Sequence, residues 1–229
     1  MDLLHKTLKV ALIVWLLGYF VEPAGAEVFS LPLAKTNGWQ LLSYRKIPPN
    51  TFRATPSGLE IGVTNSAAPG VFPLAQAALV TELRVTGRIS GSLKVPPDKQ
   101  GAKGFDDYAA RVGLVESGSH TLSWREKRFA ADWVKKLFAL APPGTGINKI
   151  HLFNIGASAR QIGRARAHPA SELLQETVVA TPDASGRFSF TNRLTRPINT
   201  IAVWISCDGD DTKSSFAVTL SKIELWIEK

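Results

Sequence analysis

The stretch Gly104-Phe105-Asp106-Asp107-Tyr108-Ala109-Ala110-Arg111-Val112-Gly113-Leu114-Val115 decides how this chain is read. A glycine and an acidic pair open it as a turn, and a strand follows. Side chains alternate between the two faces of a strand. Tyr108, Ala110, Val112 and Leu114 therefore share one face, and Asp107, Ala109, Arg111, Gly113 and Val115 share the other. Apolar residues occur on both faces, as expected near the middle of a sheet. The small residues Ala109, Ala110 and Gly113 leave room for something to pack closely over it.

The same period of two recurs outward from this strand. Upstream, Leu59, Ile61 and Val63 alternate with Glu60, Gly62 and Thr64. Leu83, Val85 and Ile89 oppose Glu82, Arg84, Thr86 and Arg88, the pattern of a sheet with one wet face. Downstream, strands are expected at Lys149–Ile155, Leu173–Ala180, Arg187–Phe190 and Ile201–Cys207. In the last segment the apolar positions switch parity near Ser221, which calls for a β-bulge or a strand buried on different faces along its length. Pro182-Asp183-Ala184-Ser185-Gly186 reads as a turn, and Ala157 to Ala170 as a polar loop. One region breaks the pattern. Phe129, Trp133 and Leu137 recur every four residues with cations largely outside the stripe, predicting one amphipathic helix over about 124–141, stopped by Pro142-Pro143-Gly144. About ten short antiparallel strands, one covering helix and no repeat predict a jelly-roll-like β-sandwich rather than an α/β fold.

Residues 1–26 read as a signal peptide: Lys6 and Lys9 precede the apolar run Val10–Val21, and Ala24-Gly25-Ala26 follows. The run is short for a span, which needs about 20 apolar residues. Residues 27–229 then form one domain, periplasmic or secreted, with no transmembrane segment after cleavage and a monomer expected. The single cysteine, Cys207, excludes an internal disulfide. The net charge of +8 draws the chain toward anionic surfaces. Its cations are scattered, so no specific nucleic-acid partner is expected.

Asp106-Asp107-Tyr108-Ala109-Ala110-Arg111-Val112 resembles a strand of a secreted bacterial family catalogued as domain of unknown function 3047. Pro142-Pro143-Gly144 before Ile147–Ile150, and Ile201–Asp211 before a last strand ending near Trp226, resemble that family's later stretches in the same order. The resemblance implies export and a β-sandwich, and supplies no activity. The chain departs where the family carries more aromatics, at Glu82–Val85 and His151–Asn154.

No histidine pair has zinc spacing, and no nucleophile elbow or phosphate loop occurs. Asp106 or Asp107 with Asp208 or Asp210 would be the carboxylate pair of a glycan-processing hydrolase, if they met. Asp208, Asp210 and Thr212 place oxygens at alternate positions of a glycine turn, a weak calcium-like pattern whose alternative is an acidic hairpin. Arg111 needs a carboxylate or carbonyl partner if its face is interior. Trp204 is either a stacking platform for sugar or packing beneath the helix. Ligand contacts are therefore sought at Trp204, Arg111, Asp106 and Asp107. The leading function is a non-catalytic binding module for carbohydrate or another anionic cell-envelope polymer, with no cofactor beyond a structural calcium ion. The alternatives are the hydrolase and a structural or protein-interaction module.

Overall fold

The computed structural model describes residues 26–169 and 171–229. The expected signal peptide falls outside these residues, apart from Ala26. Among the described residues eleven strands dominate: β1 (Glu27–Ser30), β2 (Gln40–Leu41), β3 (Thr51–Thr55), β4 (Gly58–Thr64), β5 (Ala67–Ser92), β6 (Arg111–Gly118), β7 (Gly146–Ile155), β8 (Ala165–His168), β9 (Ser171–Ala180), β10 (Arg187–Asp208) and β11 (Ser215–Ile227). Two short helices, α1 (Trp124–Phe129) and α2 (Asp132–Phe138), lie between β6 and β7.

Strand order runs β3-β4-β11-β5-β10-β6-β7-β9-β8, with β1 on β11 and β2 on β5. β5 and β10 span 26 and 22 residues and pass through both layers of a sandwich. The second half of β5 pairs with β11 and with the first half of β10. Its first half pairs with β2 and with the second half of β10, which also pairs with β6. The sheet is thus continuous and folded over on itself. The folds fall where the ladder slips, between Arg193 and Ile198 and between Thr200 and Ala202. Pro197 sits in the first slip and Pro73 pairs with Ala202 beside the second. Proline cannot donate to a ladder and collects at such irregularities.

Between the layers lies one apolar core, in which Leu59, Ile61, Leu83, Val85 and Val218 meet Val112, Leu114, Phe153, Val203 and Ile205. Each buried Leu or Ile side chain stabilises by about 1.5–3 kcal/mol. β6 is central, between β10 and β7, and residues 107–116 are buried without exception. Its second face is covered as well, because Val115, Ile150, Ala202 and Trp204 pack under α2 through Leu137, with Trp133 and Phe138 alongside.

Three expectations are corrected. The helix is two pieces, because Ala130 and Ala131 are both extended (ψ 145° and 151°). Alanine favours helix by propensity, so the break is imposed by packing: α2 seats Leu137 on the sheet, while no residue of α1 is buried. Not every pair is antiparallel, since β7 and β9 run parallel. The crossover between them is the segment expected to be a loop, which holds a 3₁₀ turn at Ala159–Gln161 and the edge strand β8. The parity switch in β11, by contrast, is one of the two expected outcomes: a bulge, with Leu220 opposite Gly87 and Lys222 opposite Thr86. Among the described residues, no helix is long and apolar enough to cross a membrane.

Candidate functional site

Arg111 lies on the helix-side face of β6, in register with Asn154 on β7 and Ser206 on β10. It is 3% exposed. Such a charge is tolerable only when its donors are satisfied. Nε donates to Glu176 Oε1 at 3.0 Å, Nη2 to the Asp106 carbonyl at 2.8 Å, and Nη1 pairs with Asp208 Oδ2. The guanidinium carbon also stands 4.6 Å from the Tyr108 ring centroid.

A second arginine extends the network. Arg166 on β8 donates through Nε to Glu176 Oε2 at 2.7 Å, pairs through Nη2 with Asp106 Oδ1 and donates to the Gly101 carbonyl. Asn154 Nδ2 reaches Glu176 Oε1 at 3.0 Å, and His168 Nε2 lies 3.0 Å from Asp106 Oδ2. Burial alone would raise the Glu176 carboxyl, but Arg111, Arg166 and the Asn154 amide together hold it below the ordinary range. Asp106 is likewise lowered against the opposing effect of burial, by the His168 hydrogen bond and the two guanidinium groups.

Asp107 is occupied differently. Its Oδ2 accepts from the Thr212 amide at 2.8 Å and hydroxyl at 2.5 Å, and its Oδ1 from the Asp211 amide at 3.3 Å. The Asp106 amide in turn donates to Asp211 Oδ2 at 3.1 Å. The acidic doublet and the 208–212 turn, far apart in sequence, thus close on one another.

The fold therefore gathers Arg111, Asp106, Asp107, Asp208 and Thr212, and pairs each of them with a protein partner, although Asp208 Oδ1 is buried without one among the described residues. Of the carboxylates sought for hydrolysis, Asp106 and Asp208 are engaged by guanidinium groups, and Asp107 by backbone amides and the Thr212 hydroxyl. Two of the three residues considered for calcium are already engaged: Asp208 pairs with Arg111, and the Thr212 hydroxyl faces Asp107 and Ser214. Burial raises the Asp210 carboxyl, with Asp107 and Asp211 adding repulsion. Asp106, His168 and Glu176 bring one ligand atom each within 4.8 Å of one another, but the Arg166 guanidinium bridges both carboxylates and disfavours a cation there. Trp204 is 2% exposed, edge-on to Trp133 with centroids 6.0 Å apart. Its ring is packing, and sugar has no access to it.

An open concavity lies elsewhere, at one end of the interlayer core. It encloses about 540 Å³ between the end of β5 (Arg88–Gly91) with Leu93 just beyond it, the 182–186 turn, Ala109, and the end of β7 with Gly156 and Ala157. Ile89, Leu93, Ala109 and Ile155 give it apolar surface, while Arg88, Ser90, Asp183 and Ser185 give it polar groups. The turn is rigid. Asp183 Oδ1 accepts from the Ser185 amide at 2.8 Å, the Ser185 hydroxyl at 2.7 Å and the Arg187 amide at 2.9 Å. The Ser185 hydrogen bond, then that of the Arg187 amide, hold Asp183 below the usual carboxylate range. Gly186 has φ 78°, and a Cβ there would stand 2.1 Å from the Ile89 carbonyl oxygen. Arg88 Nε donates to the Ser185 carbonyl at 3.2 Å and stands opposite Arg187 across the ladder. Sequence reading saw this turn and this wet strand face separately; nothing in their spacing showed that they meet.

No family model matches the sequence. No curated protein matches it either. Among solved structures, a family 11 carbohydrate-binding module from Clostridium thermocellum, bound to a mixed-linked tetrasaccharide, superposes with a TM-score of 0.41 at 9% identity, over 90% of this chain and 98% of that one. The exoplasmic/lumenal domain of VIP36 gives 0.41 at 9% identity, over 90% and 91%. A xylan-binding module, CBM15, gives 0.36 at 11% identity, over 90% and 100%. Superpositions this loose carry no weight for function.

Proposed function

We propose that this chain is a non-catalytic carbohydrate-binding β-sandwich of the bacterial cell envelope, with the interlayer cleft as its site. Membership of the family of domain of unknown function 3047 belongs to the same proposal. The observation that carries it is the lining of the cleft. Hydroxyls at Ser90 and Ser185, the Asp183 carboxylate and the Arg88 guanidinium alternate there with apolar wall. A pyranose presents the same mixture of hydroxyl groups and C–H faces, and the volume is that of a small-ligand site. Of the carboxylates a hydrolase would need, Asp106 and Asp208 are committed to the ion network and Asp107 to the 211–212 backbone, which favours binding over turnover.

Ala157→Trp tests this reading. Ala157 is exposed on the rim, so the indole fills the cleft without disturbing the core. Calorimetry against a panel of soluble glycans should show binding by the parent and at least about a tenfold loss in the variant, equivalent to about 1.4 kcal/mol, with thermal stability unchanged. Binding that survives the substitution places the ligand elsewhere. No binding by the parent to any glycan removes the proposal.

A further inference from the structure

Large aromatic side chains are rarely left in water without a reason. On α1, Trp124 is 72% exposed and Phe129 80% exposed, and the helix buries none of its residues. Both rings attend the same cation: the Arg128 guanidinium carbon lies 5.8 Å from the centroid of Trp124 and 6.0 Å from that of Phe129. This short helix is nevertheless held in shape. Ser123 Oγ accepts from the Glu126 amide at 3.3 Å, and the Glu126 carboxylate accepts from the Ser123 amide at 2.7 Å, closing a capping box. The box also turns the one acidic side chain of α1 back onto the N-cap.

The order of residues around α1 points to the kind of partner. At about 100° per residue, Arg128 and Arg125 fall between Trp124 and Phe129 on one face, with Glu126 and Lys127 behind. A helix lying in a bilayer separates its apolar face from its charged face. Here the cations are interleaved with the rings. Such a surface fits a ligand that offers flat C–H faces and anionic groups within one repeating unit.

We propose that α1 carries a second binding site, distinct from the cleft, for a polysaccharide bearing carboxylate groups. Trp124 and Phe129 stack on sugar rings, and Arg128 and Arg125 hold the carboxylates. The site does not depend on the cleft for its geometry.

The test uses the full chain, with polygalacturonate as probe and its methyl-esterified form as the neutral counterpart. Affinity electrophoresis and calorimetry should show binding to polygalacturonate that is weaker by about tenfold or more for the ester, for Trp124→Ala/Phe129→Ala and for Arg125→Ala/Arg128→Ala. Lys35→Ala/Lys103→Ala removes as much charge elsewhere and should change affinity by less than about twofold, because remote charges are screened. Ala157→Trp should leave this binding intact. Because α1 buries nothing, unchanged melting temperatures will separate lost contacts from lost folding. Absence of binding to polygalacturonate, or indifference to the α1 substitutions, overturns the proposal, while glycan binding sensitive to Ala157→Trp would still stand. If the α1 variants instead lose only binding to vesicles containing anionic phospholipid, the surface is a membrane face and the proposal fails.

Discussion

Arg111 shows how much one residue asks of the fold around it. The sequence demanded a partner for it if its face were interior, and the fold supplies Glu176, Asp208 and the Asp106 carbonyl. Nothing in the sequence marks Glu176 as that partner, because it lies 65 residues further along the chain, on β9. Its ionisation makes a pH prediction. A carboxyl lowered in the folded state below its ordinary value near 4.5 contributes stability that is present above that pH. The contribution is lost as pH falls through the lower, folded-state value. Glu176→Gln should therefore cost about 1–3 kcal/mol at pH 7, since it removes the carboxylate that bridges both guanidinium groups and leaves Arg111 with Asp208 and Arg166 with Asp106 as their remaining carboxylate partners. The urea midpoints of parent and variant should converge as pH falls from 5 toward 3. A constant gap between them over that range would mean that the carboxylate charge is not what stabilises the network.

The helical region sets propensity against packing at the scale of an element. Its stripe was legible, and Trp133 and Leu137 do face the sheet. Phe129 follows the same four-residue spacing yet is turned out to solvent, because the extended pair Ala130–Ala131 re-aims the chain. Two substitutions separate the helices. Leu137→Ala should cost about 2–5 kcal/mol, as loss of a buried leucine does. Phe129→Ser should stay within about 0.5 kcal/mol of the parent, as an exposed substitution does. Chemical denaturation measures both, and a large loss from Phe129→Ser would show that α1 is packed in solution. The bulge at Ser221 was legible for a simpler reason. A change of phase in a period of two marks either an extra residue or a change of buried face, so the switch is written in the side chains, and the ladder slip between Leu220 and Lys222 decides for the bulge.

For the whole molecule, sharing β5 and β10 between layers has a consequence for stability. Neither layer can lose these strands and leave the other intact, so the fold should unfold as one cooperative unit. Cys207 reports on this. It is buried at 1% exposure in the interlayer core, and burial pushes its thiol pKa up. A thiol reagent should leave it unmodified in the native state, and its reactivity in urea should appear together with the change in tryptophan fluorescence. Earlier reaction of the thiol would reveal a layer that opens on its own.

By itself the sequence determined where most of the strands run, which of their faces are apolar, where one strand changes phase and that Arg111 requires company if its face is interior. These are consequences of local periodicity and of the cost of burying charge, and both can be read along the chain. Only the tertiary structure decided that two long strands bend through both layers, that Glu176 and Arg166 complete the ion network and that Trp204 is packed away while Trp124 is not. It alone also brought the 182–186 turn to the ends of β5 and β7 to shape a cleft. Those outcomes depend on which distant segments become neighbours, and residues dozens of positions apart carry no mark of that in their spacing.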